Sequence, residues 1–193
     1  APAEVEKRWL KYLNFERRST AETQSLLALY DRALTPCALS ARIWWDYTVA
    51  LLREYITAAT DKDKTTAESS GLTASRVRLD AARSRAVRNI TYSGPLWGAY
   101  LRSCEAIAEV GGAESAISAV EKAMTRALGE QLATPECYST LWVTYLRALM
   151  RLHRATDIPV VGESVLKGIA AMRQLFGKDA SSSIGAVVPL LRL

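Results

Sequence analysis

Groups that could carry chemistry are scarce in this sequence. There is one histidine, His153, and it has no Cys, Asp or Ser cluster beside it. It closes the apolar strip Trp142/Leu146/Leu149 and reads as a helix-terminal packing residue, not a ligand or base. The three cysteines, Cys37, Cys104 and Cys137, are odd in number and far apart, with no C-x-x-C spacing. That excludes a zinc ribbon or a dithiol redox motif and predicts reduced, partly buried packing residues in an intracellular protein. The glycines form neither G-x-G-x-x-G nor a phosphate-binding loop, and no His/Cys/acid set has metal-ligand spacing. No catalytic residue, metal or cofactor is expected. Ten Gly and six Pro are few for an all-β chain of 193 residues. Neither a signal-peptide core nor an apolar run of bilayer length is present, so no membrane partner is expected. The chain opens on Ala-Pro-Ala-Glu and reads as a soluble excerpt of a longer protein. Charge of one sign is also lacking: 18 Arg and seven Lys oppose 20 acids, a formal excess of only +5.

What is present favours long helices, with 49% apolar residues and recurrent Ala, Leu, Arg and Glu. It also repeats. Trp9-x-x-Tyr12, Trp44-x-x-Tyr47, Trp97-x-x-Tyr100 and Trp142-x-x-Tyr145 take four of the five tryptophans and half of the eight tyrosines. Ahead of each later tryptophan stands Arg32-Ala33-Leu34, Arg85-Ala86-Val87 or Arg126-Ala127-Leu128, with Arg-to-Trp intervals of 12, 12 and 16 residues. Two alternating motifs in register imply a helix pair per unit. Spacings of three and four place each Trp and Tyr on one strip, and the Ala after Arg lets the second helix approach closely. The spacing predicts helix pairs over 5–18/20–34, 40–59/73–90, 95–109/113–130 and 136–154/160–176, in repeats 5–38, 40–91, 95–132 and 136–177. Ser19-x-x-Glu22 has the pattern of a capping box, Gly94-Pro95 and Thr134-Pro135 put Pro near helix starts, and Gly111-Gly112 separates a pair. The polar stretch 60–72 is an insertion loop, a variable segment or one with a binding or modification role; 178–193 is a tail or the start of a further repeat.

The densest basic stretch, Arg76, Arg78, Arg83, Arg85 and Arg88, does not share one helical face. These residues flank the apolar strip Leu79/Ala82/Ala86, as solvated borders of a core or, with Arg147, Arg151 and Arg154, as RNA contacts. Trp45 and Tyr92 stand outside the paired aromatics and are the candidate partner contacts; Trp45 either meets an adjacent repeat or is exposed for a partner.

Trp9-x-x-Tyr12-Leu13-x-Phe15-Glu16, then Leu29-Tyr30-Asp31-Arg32-Ala33-Leu34, then Ile43-Trp44, closely resembles the half-a-tetratricopeptide (HAT) repeat of RNA-processing scaffolds. Arg85-Ala86-Val87-Arg88-Asn89 with Leu96-Trp97-x-x-Tyr100-Leu101 is most similar to the family of the squamous-cell-carcinoma antigen recognised by T cells, the U4/U6 small nuclear ribonucleoprotein recycling factors. That family continues as Cys-Pro-Trp where this chain has Ile90-Thr91-Tyr92. The resemblance covers about residues 5–150. It implies an all-α, right-handed α-α superhelix of about four helix pairs and a nuclear, non-catalytic scaffold. Its partners would be splicing or RNA-processing proteins and a deubiquitinase, with self-association through the solenoid and RNA held only indirectly. The acid of the motif is present only as Glu16, since its counterparts are Leu51, Cys104 and Leu149; it pairs with Arg32 or stands as an exposed helix-end acid. The alternatives are an RNA-contacting solenoid, a scaffold of mRNA 3'-end cleavage or ribosome biogenesis, and an ordinary tetratricopeptide or unrelated helical protein.

Overall fold

Every Trp-x-x-Tyr motif lies on a helix, and among the described residues all regular structure is α-helical. The computed structural model describes residues 2–19, 22–60, 69–108, 112–153 and 158–176. The helices are α1 (Pro2–Arg18), α2 (Thr23–Leu34), α3 (Ala41–Thr60), α4 (Ser69–Asn89), α5 (Gly94–Ala108), α6 (Ala113–Leu128), α7 (Pro135–Leu152) and α8 (Ile158–Phe176). They fall into two compact units, residues 1–90 and 91–193.

In the first unit each helix packs on the next, α1 on α2, α2 on α3 and α3 on α4. Ser40 starts α3: its Oγ accepts the Ile43 N–H at 3.2 Å, satisfying a first-turn donor that the helix itself cannot. The same hydroxyl donates to Glu6 Oε1 at 2.6 Å and so ties α1 to the start of α3. Trp44 and Leu51 of α3 and Leu79, Ala82 and Ala86 of α4 are all buried, large rings and branched chains against small residues. In the second unit α5 packs on α6 and α7, α6 on α7, and α7 on α8. Thr134 caps α7 by accepting Cys137 N–H at 3.4 Å, with Pro135 at the first helical position where its missing N–H is harmless. A hydrogen bond with Thr134 also holds the exposed Glu136 carboxyl below its usual range. Gly94 opens α5 against α7 so tightly that a β-carbon there would collide with the Cys137 backbone.

Most helix ends shift slightly from the sequence reading, and the shifts at the starts of α2 and α4 and the end of α3 change a predicted feature. The capping box at Ser19 does not form. The Ser19 hydroxyl turns back to the Glu16 carbonyl at 3.0 Å, closing α1, while Glu22 sits at the N-cap of α2 without a side-chain cap bond. A serine in a helix's last turn finds a free carbonyl nearer than the next helix's amides. Residues 69–72, assigned to the insertion, belong to α4, which starts four residues before the expected position 73. Thr60 ends α3, and 61–68 lie outside the described residues, as does the tail from 178.

Candidate functional site

The repeated motif has the same atomic construction in both units. In the first, the indole N–H of Trp44 donates to the Ala38 carbonyl, six residues back, at 2.8 Å, and the Arg85 guanidinium lies 5.4 Å from the ring centroid. In the second, Trp97 donates to Thr91, again six back, at 2.7 Å, and Arg126 lies 5.4 Å from its ring. The indole thus fastens the helix to the loop before it, while the second helix of the pair lays a cation on the electron-rich face. The alanine after each arginine, Ala33, Ala86 and Ala127, is 0% exposed, so a larger residue there would have to displace packed neighbours.

The tyrosine extends the arrangement. Tyr47 stacks on Tyr30 with ring centroids 5.6 Å apart and donates its hydroxyl to Asp31 Oδ2 at 2.9 Å. Arg85 Nη1 reaches the other oxygen of Asp31 at 3.6 Å, so one carboxylate joins the arginine and tyrosine of a repeat to the preceding helix. Burial, with the Asp31 bond adding to it, pushes the Tyr47 phenol up; burial also raises Tyr30, Tyr100 and Tyr145. Tyr100 and Tyr145 meet Trp97 and Trp142 edge-on, at 5.9 and 5.8 Å.

The first and fourth repeats depart from this pattern. Trp142 is the eighth residue of α7, whereas Trp44 and Trp97 are the fourth of α3 and α5. The difference of four, which is also the rise of the Arg-to-Trp interval from 12 to 16, is one helical turn. The residue six back from Trp142 is Glu136, already inside the helix, and the buried indole N–H has no hydrogen-bond partner among the described residues. Gly168 of α8 lies against this ring, where a β-carbon would come within 2.9 Å. If Gly168 is set against Ala82 and Ala123, the position of Arg85 and Arg126 falls on the uncharged Ala171. In the first repeat Trp9 is half-buried and 6.2 Å from an exposed Tyr12, Arg32 is exposed, and Glu16 accepts from Ser19 at 3.4 Å; no described ion pair joins Glu16 to Arg32.

The other arginines are unevenly engaged. Arg76 pairs with Asp80 at 3.0 Å and lies over the Tyr55 ring, and Arg78 bridges Gln24 and Glu54. Arg83, expected on a flank of α4, is buried. Arg88 is exposed and bonds its own helix at the Ser84 carbonyl, Arg147 is exposed, and Arg154 lies outside the described residues. Arg151 grips Glu105 with two bonds, Nε to Oε1 at 2.8 Å and Nη2 to Oε2 at 2.7 Å, joining α7 to α5 around a carboxylate residue only 5% exposed. The pair went unread in the sequence. Its signal is there in part: Glu105 continues the strip Trp97/Leu101, and an acid on an apolar strip demands a cation. Trp45 is half-buried, Tyr92 is exposed with its carbonyl accepting Ala133 N–H at 3.0 Å, and His153 caps the end of α7.

Among the described residues no three His, Cys, Asp or Glu side chains gather where a metal ion could be held, and no described helix is long and apolar enough to cross a membrane. No family model matches the chain, and no curated protein matches it.

Proposed function

We propose that this chain is a stretch of HAT-type solenoid, a right-handed superhelix of helix pairs that serves as a non-catalytic protein-binding scaffold in nuclear RNA processing. The observation that carries the reading is the recurrence of one construction: an indole N–H on the carbonyl six residues back and an arginine 5.4 Å over the ring, in repeats two and three. Chance packing has no reason to reproduce that geometry, whereas stacked units favour it, because each offers its neighbour a similar surface. The contact of α5 with both α6 and α7 also fits first helices stacking on first helices. Within the class, the likeness at 85–101 favours a U4/U6 recycling role in splicing over 3'-end cleavage or ribosome biogenesis, with splicing factors or a deubiquitinase as partners.

Direct RNA contact is the weaker reading because Arg76, Arg78 and Arg151 already serve carboxylates and Arg83 is buried. The test is purification of the tagged chain from nuclear extract with and without nuclease, read by mass spectrometry. RNA-processing proteins that remain enriched after nuclease support the scaffold. Enrichment that nuclease abolishes transfers the role to RNA, and no such enrichment overturns the assignment.

A further inference from the structure

The face of α1 turned away from α2 is aromatic and basic, and among the described residues no hydrogen bond, ion pair or ring contact from another helix of the first unit reaches it. Leu13 is buried on the inner side of the helix, where Glu6 is held by Ser40. On the other side Val5, Tyr12 and Phe15 are 40%, 45% and 67% exposed. Val5, Arg8, Trp9 and Tyr12, all on α1, line a shallow, open and largely apolar cleft of about 330 Å³. At 100° per residue, Val5 and Tyr12 share one line of the helix; Arg8 and Phe15 come next, then Lys11, Arg18 and Lys7. All four of these basic residues are exposed, against two acids: Glu4, which pairs with Arg8 at 3.5 Å, and Glu16, which falls between Tyr12 and Trp9 and accepts from Ser19, so the face keeps an excess of cations.

We infer that this face is a docking groove for an amphipathic acidic peptide, a partner segment that seats an apolar side chain in the Trp9/Tyr12 cleft and sets carboxylates against Arg8, Lys11 and Arg18. Charge complementarity chooses the partner: a row of cations beside an aromatic cleft attracts apolar segments that carry acids and repels basic ones. Packing favours a peptide over an anionic lipid surface: Trp9 is half-buried, so its ring offers a partner side chain a fixed edge, whereas an interfacial helix presents its whole apolar face to the headgroups. Aromatic rings flanked by arginine are also the usual composition of binding hot spots.

This groove rests on the protein-binding reading above, and its test is separate from that one. The whole chain is titrated with fluorescent synthetic peptides bearing leucines at spacings of three and four on one face and glutamates, or else lysines, on the other. The glutamate series binds saturably and the lysine series does not. Tyr12→Ala and Phe15→Ala each weaken binding by about tenfold while the thermal melt stays that of the parent, and the Arg8→Glu/Lys11→Glu variant exchanges the preference between the two series. Equal binding of both series, no binding, or an affinity unmoved by these variants overturns the proposal. So does Tyr12-dependent self-association without peptide, which would make a second copy the occupant, or Tyr12-dependent binding to phosphatidylserine vesicles without peptide binding. If the peptides fail while nuclease-resistant co-purification succeeds, this groove alone is lost; if both fail, the protein-binding reading is lost with it.

Discussion

At the residue scale, three tryptophans that look alike in sequence differ in one atom's surroundings. Trp44 and Trp97 give their indole N–H to a carbonyl, while the N–H of Trp142 is buried without a described partner. Replacing each by phenylalanine removes a similar piece of ring, so the difference in cost reports the hydrogen bond together with the Arg126 contact that the Trp142 ring lacks. We expect Trp97→Phe to be more destabilising than Trp142→Phe by about 1–2 kcal/mol in urea melts, since the second change removes a donor that burial penalises. Equal losses would mean that the indole bond and the cation over the ring together contribute nothing. The motif residues and the 12/12/16 interval were legible in the sequence because the repeat aligns them. What the long interval does, adding a turn and pulling the indole off its carbonyl, was not, since it depends on where α7 begins. The failed capping box at Ser19 was illegible for a related reason: two carbonyl and amide sets compete for one hydroxyl, and spacing alone does not rank them.

At the scale of elements, the α5–α7 contact depends on two features that a strip reading catches poorly. One is Gly94, where any β-carbon meets the Cys137 backbone. Gly94→Ala should separate the helix starts and cost about 2–3 kcal/mol, as overpacking against backbone does, with a matching fall in melting temperature. The other is the Glu105–Arg151 pair. Arg151→Met leaves a buried carboxylate with its main partner gone and should cost about 1–3 kcal/mol, less than for a fully buried pair because half of the arginine is solvated. Adding Glu105→Gln removes the stranded charge and should recover most of that loss. A double variant no more stable than Arg151→Met would show that the charge is not what the arginine serves. Their partnership joins positions 46 apart, beyond the reach of any local periodicity.

For the molecule as a whole, both units bury tyrosines of the repeat motif, and burial raises the pKa of Tyr30, Tyr47, Tyr100 and Tyr145. The folded state therefore holds its phenol protons more tightly than the unfolded state. Stability should be unaffected by these groups at neutral pH and fall as pH rises above about 10, with phenolate absorbance appearing together with loss of helix. Phenolates that titrate near their free value while the helices persist would contradict that burial. The wider claim, that one repeat register runs through both units, rests on Trp44 with Arg85 and Trp97 with Arg126. Double-mutant cycles with Trp→Leu and Arg→Met test it most directly. Matching coupling energies of about 0.5–1 kcal/mol in both pairs are the predicted result, and no coupling, or coupling in one pair only, would contradict it.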